Sequence, residues 1–211
     1  MPTRNYAVID FETTGFDAAW DRIIEVGAVV VRDGQIVASF AELLDPGTRI
    51  PYDVTQLTGI TQAMVRGKPR PEAVMPRLRA FLGDLPCVAH NAGFDKRFFD
   101  AEMARAVHGH ERQFLCSMLL ARRLIPAAPN HQLGTLVRHL RLPVAADVRL
   151  HRALADAHVT QALWQRMGED LQRRIGGRRP DLSVIRGVIR RPKASTGRYL
   201  ESLAAGQGVP R

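Results

Sequence analysis

"VIDFETTG", residues 8–15, opens like the interior of a buried β-strand and then sets Asp10 and Glu12 where the apolar run should continue. Residues 6–11 lack a clean apolar–polar alternation, which marks a strand covered on both faces and central to its sheet. Side chains two apart on a strand share a face, so the carboxylates of Asp10 and Glu12 stand side by side while Phe11 points the other way. Two anions held together in a partly dry site repel each other, and unless one is protonated the remedy is a cation. Oxygen ligands favour Mg²⁺ or Mn²⁺ over zinc. Taken alone, the pair reads equally well as a solvated strand end capping Thr13-Thr14-Gly15.

Outward from this stretch the chain changes style. Residues 6–11, 22–32 and 35–44 are rich in β-branched and apolar residues, and Asp33-Gly34 separates the last two as a two-residue hairpin turn would. Three antiparallel strands are therefore expected first. Val74, Leu78, Phe81 and Leu82 share a helical face over residues 72–83, and residues 86–90 form a short buried strand. Residues 94–107 are expected to be helical, 113–117 a fifth strand, and 117–125 and 132–141 further helices. A long helix over about 153–174 follows, with Leu154, Val159, Leu163, Met167 and Leu171 at helical spacing and Gly176-Gly177 ending it. Strands first and then strands alternating with helices predict an α/β fold, a mixed sheet with helices packed on it.

Further carboxylates fall at the ends of these elements. "AHNAGFD", residues 89–95, puts Asp95 near the start of a helix. "HRALADA", residues 151–157, opens the long helix with His151 and Asp156. Each alone reads as an ordinary helix-terminal acid or a surface histidine. Together the four acids and one histidine form a candidate metal centre.

These residues resemble the three motifs of the DnaQ-like family of 3′-to-5′ exonucleases, in its histidine-containing DEDDh branch: "DFETTG", "HNAGFD" and "HRALADA", in that order. The similarity covers residues 5 to about 170, with "RIIEVGAVVV", "QLTGIT" and "LLARRLIP" as supporting stretches. It implies a ribonuclease-H-like fold, a mixed five-stranded sheet flanked by helices, in which Asp10, Glu12, Asp95 and Asp156 hold two divalent ions, Mg²⁺ or Mn²⁺. His151 would be the general base, since an imidazole with an ordinary pKa near 6.5 can take a proton from the attacking water at neutral pH. Each turnover would release a nucleoside 5′-monophosphate from a single-stranded DNA 3′ end, in repair or proofreading. An RNA-trimming enzyme is the alternative, and a non-catalytic polymerase accessory protein a weaker one. Substrate contacts carried over by the resemblance are Thr13, Thr14, Gly15, Asp53 and Thr58; Thr58 stands where many members carry histidine, and Cys116-Ser117 where many carry Asp-Thr. Phe94, beside Asp95, reads either as a core aromatic, the commoner case, or as a stacking surface for a base.

Composition bounds the rest. No window approaches the roughly 18 apolar residues of a membrane helix, and no secretory leader opens the sequence, so a cytoplasmic protein with no membrane partner is expected. Cys87 and Cys116 are too few for a disulfide framework. Aspartate-nucleophile phosphatases also begin with a strand and paired acids, but they need D-x-D. The net charge of +9 is uneven: residues 172–211 carry 10 Lys+Arg against 2 Asp+Glu, leaving 20 against 19 in residues 1–171. An exonuclease domain over 1–175 and a basic tail over 176–211 are expected. That tail reads as a solvated end, or as a hold on the DNA strand, or as a dock for a polymerase or repair complex.

Overall fold

A computed structural model describes residues 5–106, 111–143 and 151–206. The opening stretch lies in β1 (Asn5–Thr13), followed by β2 (Ile23–Arg32) and β3 (Gln35–Leu43). β1 pairs antiparallel with β2, and β2 with β3. Asp33 and Gly34 both take positive φ, 48° and 85°, between the paired residues Arg32 and Gln35. That is the tight hairpin turn expected of an Asp-Gly pair.

Three helices follow, α1 (Tyr52–Thr58), α2 (Gln62–Val65) and α3 (Pro71–Leu82), and then β4 (Cys87–Ala89), α4 (Ala92–Ala106), β5 (Phe114–Cys116), α5 (Ser117–Leu124), α6 (Leu133–Leu140) and α7 (Ala153–Arg174). β4 joins the other side of β1 in parallel and β5 joins β4, giving the sheet order β3-β2-β1-β4-β5. The α/β expectation holds: a mixed five-stranded sheet with β1 at its centre.

β1 is covered on both faces, as its unbroken apolar run requires. Ala7, Ile9 and Phe11 pack with Val26 and Ala28 against Val74 and Leu78 of α3 and Phe98 and Phe99 of α4. Tyr6 and Val8 pack with Val29 and Val31 under α7, where Trp164 meets Tyr6 at a ring separation of 6.4 Å. Continuing the two-residue period places Asp10 and Glu12 on the α7 face. The helix that seals this half of the core is therefore also the one that carries Asp156.

α7 approaches the sheet very closely at its start. Gly27 on β2 lies opposite Asp10, and a Cβ there would fall 2.1 Å from the carbonyl carbon of Ala153 and from the nitrogen of Leu154. Gly27→Ala must push the first turn of α7 off the sheet. We expect a loss of about 1–3 kcal/mol in denaturant unfolding, the usual range for overpacking, with activity falling further than stability explains.

The tail differs from the expectation of a solvated end. Residues beyond Gly176 and Gly177, which turn the chain at φ 76° and 79°, form α8 (Leu182–Arg190) and α9 (Lys193–Ala204). Asp181 caps α8 by accepting the Val184 N–H at 2.9 Å. Val184, Ile185 and Val188 of α8 and Tyr199, Leu200 and Leu203 of α9 are buried in the same core as Leu120, Leu124 and Leu171. Burial of this much apolar surface outweighs the solvation of a basic segment. Each apolar group spans little more than a turn and Pro192 interrupts them, which hides the periodicity from a long window. No described helix is long and apolar enough to cross a membrane.

Candidate active site

The centre sits where β1 outruns β4. β4 pairs with Ala7 and Val8, and the later residues of β1 have no strand on that side among the described residues. Asp95, in the first turn of α4 and 2 % exposed, occupies the gap and accepts the backbone N–H of Phe11 together with its own. Asp10 is partly exposed and Glu12 is buried, both on the face turned to α7. From that side Asp156, 8 % exposed, reaches in. Ligand atoms of Glu12, His151 and Asp156 lie within 4.8 Å of one another.

Electrostatics ties the acids into one group. Burial first, and then repulsion from Asp95, Asp156, Glu12 and Glu25, holds the Asp10 carboxyl well above the usual carboxylate range. Glu12 is pushed up to about 8 by burial, then by repulsion from Asp156, Glu25 and Asp95, with Arg152 pulling the other way. Burial also raises Asp95, against its backbone hydrogen bonds, and Asp156, against the His151 N–H that donates to its Oδ2 at 3.0 Å. The other oxygen, Asp156 Oδ1, is buried with no hydrogen-bond partner among the described residues. An orphaned buried carboxylate oxygen among carboxyls that resist ionisation fits a hard divalent cation.

A pH dependence follows for the metal-free protein. The folded-state pKa of Glu12, about 8, lies above its ordinary 4.5. Its stability contribution is therefore fully present below pH 4.5 and lost as pH rises through 8. In chelator, Glu12→Gln should melt a few degrees above the unaltered protein at pH 8.5 and level with it at pH 4. Saturating Mg²⁺ should reverse the order at pH 8.5. A lower melting temperature for Glu12→Gln in chelator at pH 8.5 would contradict this account of the cluster.

His151 is exposed and takes φ 65°, a left-handed conformation that histidine tolerates better than most residues. What holds it was missed in the sequence. Glu25, on β2 directly opposite Glu12 and 6 % exposed, accepts the Arg152 guanidinium at 2.7 and 3.1 Å and the Ala153 N–H at 2.9 Å. It thereby caps α7 and fixes the residue after His151. The signal was present: an acid inside the apolar run "RIIEVGAVVV" raises the question that Asp10 and Glu12 raise.

The expected substrate contacts divide. Thr14 is locked into the turn: its N–H donates to the Arg22 carbonyl at 2.9 Å, its hydroxyl donates to Asp21 at 3.1 Å and accepts the Arg22 N–H at 3.0 Å. Arg22 in turn pairs with the fully buried Glu102 at 2.7 Å. The Thr13 hydroxyl donates to the Gly15 carbonyl at 2.6 Å. These threonines shape the turn beside the acids, and the Thr14 amide is not free to cradle a nucleotide. Thr58 is corrected: it is 2 % exposed, and its hydroxyl donates to the Val54 carbonyl and accepts the Ile60 N–H, so it faces the interior. Asp53 is exposed in the first turn of α1 and is not among the charges that act on Asp10 or Glu12. Phe94 is partly buried against the core, and its outer side meets Phe16 at 6.3 Å. Phe16 itself is 81 % exposed, a large apolar ring set against the residue that precedes Asp95, which sequence reading passed over.

Comparison with known proteins places this arrangement. The sequence profile of the exonuclease family matches residues 7–164, which contain all five candidate residues. The DNA polymerase III PolC-type of Clostridium perfringens is 40% identical over 155 residues, 74% of this chain and 10% of that one. A putative bifunctional exonuclease/endonuclease protein of Mycobacterium tuberculosis is 41% identical over 176 residues, covering 77% of this chain and 27% of its own length. The chain thus spans about a tenth of the polymerases it matches and about a quarter of the bifunctional protein. Among solved structures, Exonuclease X in complex with 5′ overhanging duplex DNA superposes with a TM-score of 0.65 at 32% identity, covering 78% of this chain and 91% of that one. Escherichia coli Exonuclease I with a dT13 oligonucleotide shares the fold at a TM-score of 0.69 and 17% identity, over 81% of this chain and 42% of its own.

Proposed function

The chain belongs to the exonuclease family, and from that premise we propose that it is a metal-dependent 3′-to-5′ exonuclease that removes nucleoside 5′-monophosphates from DNA ends. One observation carries the reading: acids from three separated segments converge, within electrostatic reach of one another, on a half-buried site with a histidine among them.

Asp10, Glu12, Asp95 and Asp156 would hold two divalent ions, Mg²⁺ or Mn²⁺. When bound, such ions supply charge stabilisation to the attacking and leaving oxygens of an in-line phosphoryl displacement. The remaining work falls to this chain's own groups. The imidazole of His151 takes the proton of the attacking water, and its exposure lets that proton pass on to solvent. Glu25 and Arg152 fix the backbone beside that imidazole, so the base is held in place before substrate arrives. Phe16, backed by Phe94, offers an aromatic face on which the terminal base stacks, a sequence-tolerant contact worth about 1–3 kcal/mol. The locked turn of Thr13, Thr14 and Gly15 keeps that ring beside the acids.

The DNA reading draws support from the nature of the relatives, a DNA polymerase and an exonuclease in complex with DNA. A polymerase or repair assembly is the partner this suggests. The test compares matched DNA and RNA oligonucleotides with the purified protein in chelator, in Mg²⁺ and in Mn²⁺. Activity absent in chelator, restored by either ion and higher on DNA is expected. Equal cleavage in excess chelator would refute the metal-dependent reading, and a preference for RNA would refute the choice of DNA.

A further inference from the structure

A cleft of about 610 Å³ runs along the outer edge of β5, roofed by α8. Its lining includes Ala92 and Gly93, the first residues of the helix that carries Asp95 into the acidic centre, and Arg112, just ahead of β5. Its charged lining is mainly cationic, Lys96, Arg112, Arg186 and Arg190 against one acid, Glu111. Arg186 and Arg190 stand one turn apart on α8, and neither side chain has a hydrogen bond or ion pair among the described residues. Lys96 adds a further positive charge on the first turns of α4, beside Asp100 with which it pairs.

Arg112 is the unusual member. It is 7 % exposed, donates to the carbonyls of Gly83 and Leu85 and to Cys87 Sγ, and leaves a buried Nε with no partner among the described residues. No carboxylate pairs with it among the described residues. A buried guanidinium normally has an anion beside it, because an isolated buried charge is costly. Arg112 lines the same cleft as the two arginines of α8, so its uncompensated charge adds to the positive field there.

We propose that this cleft seats the phosphodiester backbone of the single DNA strand upstream of the 3′ end held at the acidic centre, with Arg186 and Arg190 of α8 as its phosphate contacts and Arg112 as a buried charge in its wall. The proposal rests on the nuclease reading for the location of the 3′ end. It gives the basic C-terminal segment a specific role, because α8 is fixed by its buried apolar face and its basic face is directed into the cleft. Arginine suits that role because its planar fork donates to phosphate oxygens bidentately.

The test uses the full chain and the Arg186→Gln/Arg190→Gln double variant, whose substitutions lie outside the acidic centre. Binding of a labelled single-stranded oligonucleotide, measured in chelator over a range of salt, should weaken about tenfold or more. The slope of log affinity against log salt should flatten by about 1.4, the share of two phosphate contacts on a single strand. In Mg²⁺, cleavage of a dinucleotide should be unchanged while kcat/KM on a long strand falls with the binding. Unchanged affinity and an unchanged salt slope would overturn the cleft, whatever the activity. Absence of cleavage on every substrate by the unaltered protein, with the salt slope still flattened in the variant, would instead overturn the nuclease reading and leave the cleft standing as a strand-binding site.

Discussion

Asp10→Asn and Asp156→Asn should each lower metal-dependent release of mononucleotide by about a thousandfold or more while the protein stays folded. Ions held by carboxylates contribute several kcal/mol to the reaction, and about 4 kcal/mol corresponds to that factor. Folding should survive because each substitution relieves repulsion: Asp10 is crowded by four other acids, and Asp156 leaves one oxygen buried with no partner among the described residues. The pair of measurements is therefore opposed in sign, with activity lost and thermal stability in chelator at pH 8 raised. A variant retaining activity within tenfold, in a preparation free of contaminating nuclease, would remove that acid from the centre.

Glu25→Ala is the second large effect. It removes the acceptor of the Arg152 guanidinium and of the Ala153 N–H at once, leaving the start of α7 without its tie to β2. Breaking a buried ion pair costs about 3–5 kcal/mol; with the Arg152 side chain 39% exposed, about 2 kcal/mol is the expected loss in stability. The activity loss should be about 10–100-fold, the usual range for residues that orient a metal centre from behind, and should fall on kcat rather than KM at a temperature where the variant is fully folded. Glu25→Gln keeps an oxygen for the Ala153 N–H and should recover most of it. A purely structural part for Glu25 predicts full kcat once the variant is folded.

Much of this was legible in the sequence because the signals were local. The Asp33-Gly34 turn, the unbroken apolar run of β1 and the spacing of Leu163, Met167 and Leu171 in α7 each arise from neighbouring residues, and the structure places these elements where those patterns put them. Carboxylates ending apolar strands or opening helices likewise marked Asp10, Glu12, Asp95 and Asp156 as candidates, and the structure brings them within electrostatic reach of one another. What escaped depends on contacts across the fold. Glu25 acquires its part only when β2 is laid beside β1 and α7 comes down over Gly27. Thr58 looked available until the α1 turn took its hydroxyl inward. The basic tail read as solvated because the charge of α8 is visible in sequence, whereas the core that receives Val184, Ile185 and Val188 is assembled from helices far upstream.

If the acids of "VIDFETTG", with Asp95, His151 and Asp156, remove nucleotides from 3′ ends, the polarity of the reaction shows it most directly. The measurement incubates the protein and Mg²⁺ with one DNA oligonucleotide labelled in parallel at its 3′ and at its 5′ end. Early appearance of a labelled mononucleotide from the 3′ label, and a ladder of shortening products from the 5′ label, both abolished by Asp10→Asn, is the predicted result. A mononucleotide released first from the 5′ label, internal fragments from either, or undiminished products with Asp10→Asn would contradict it.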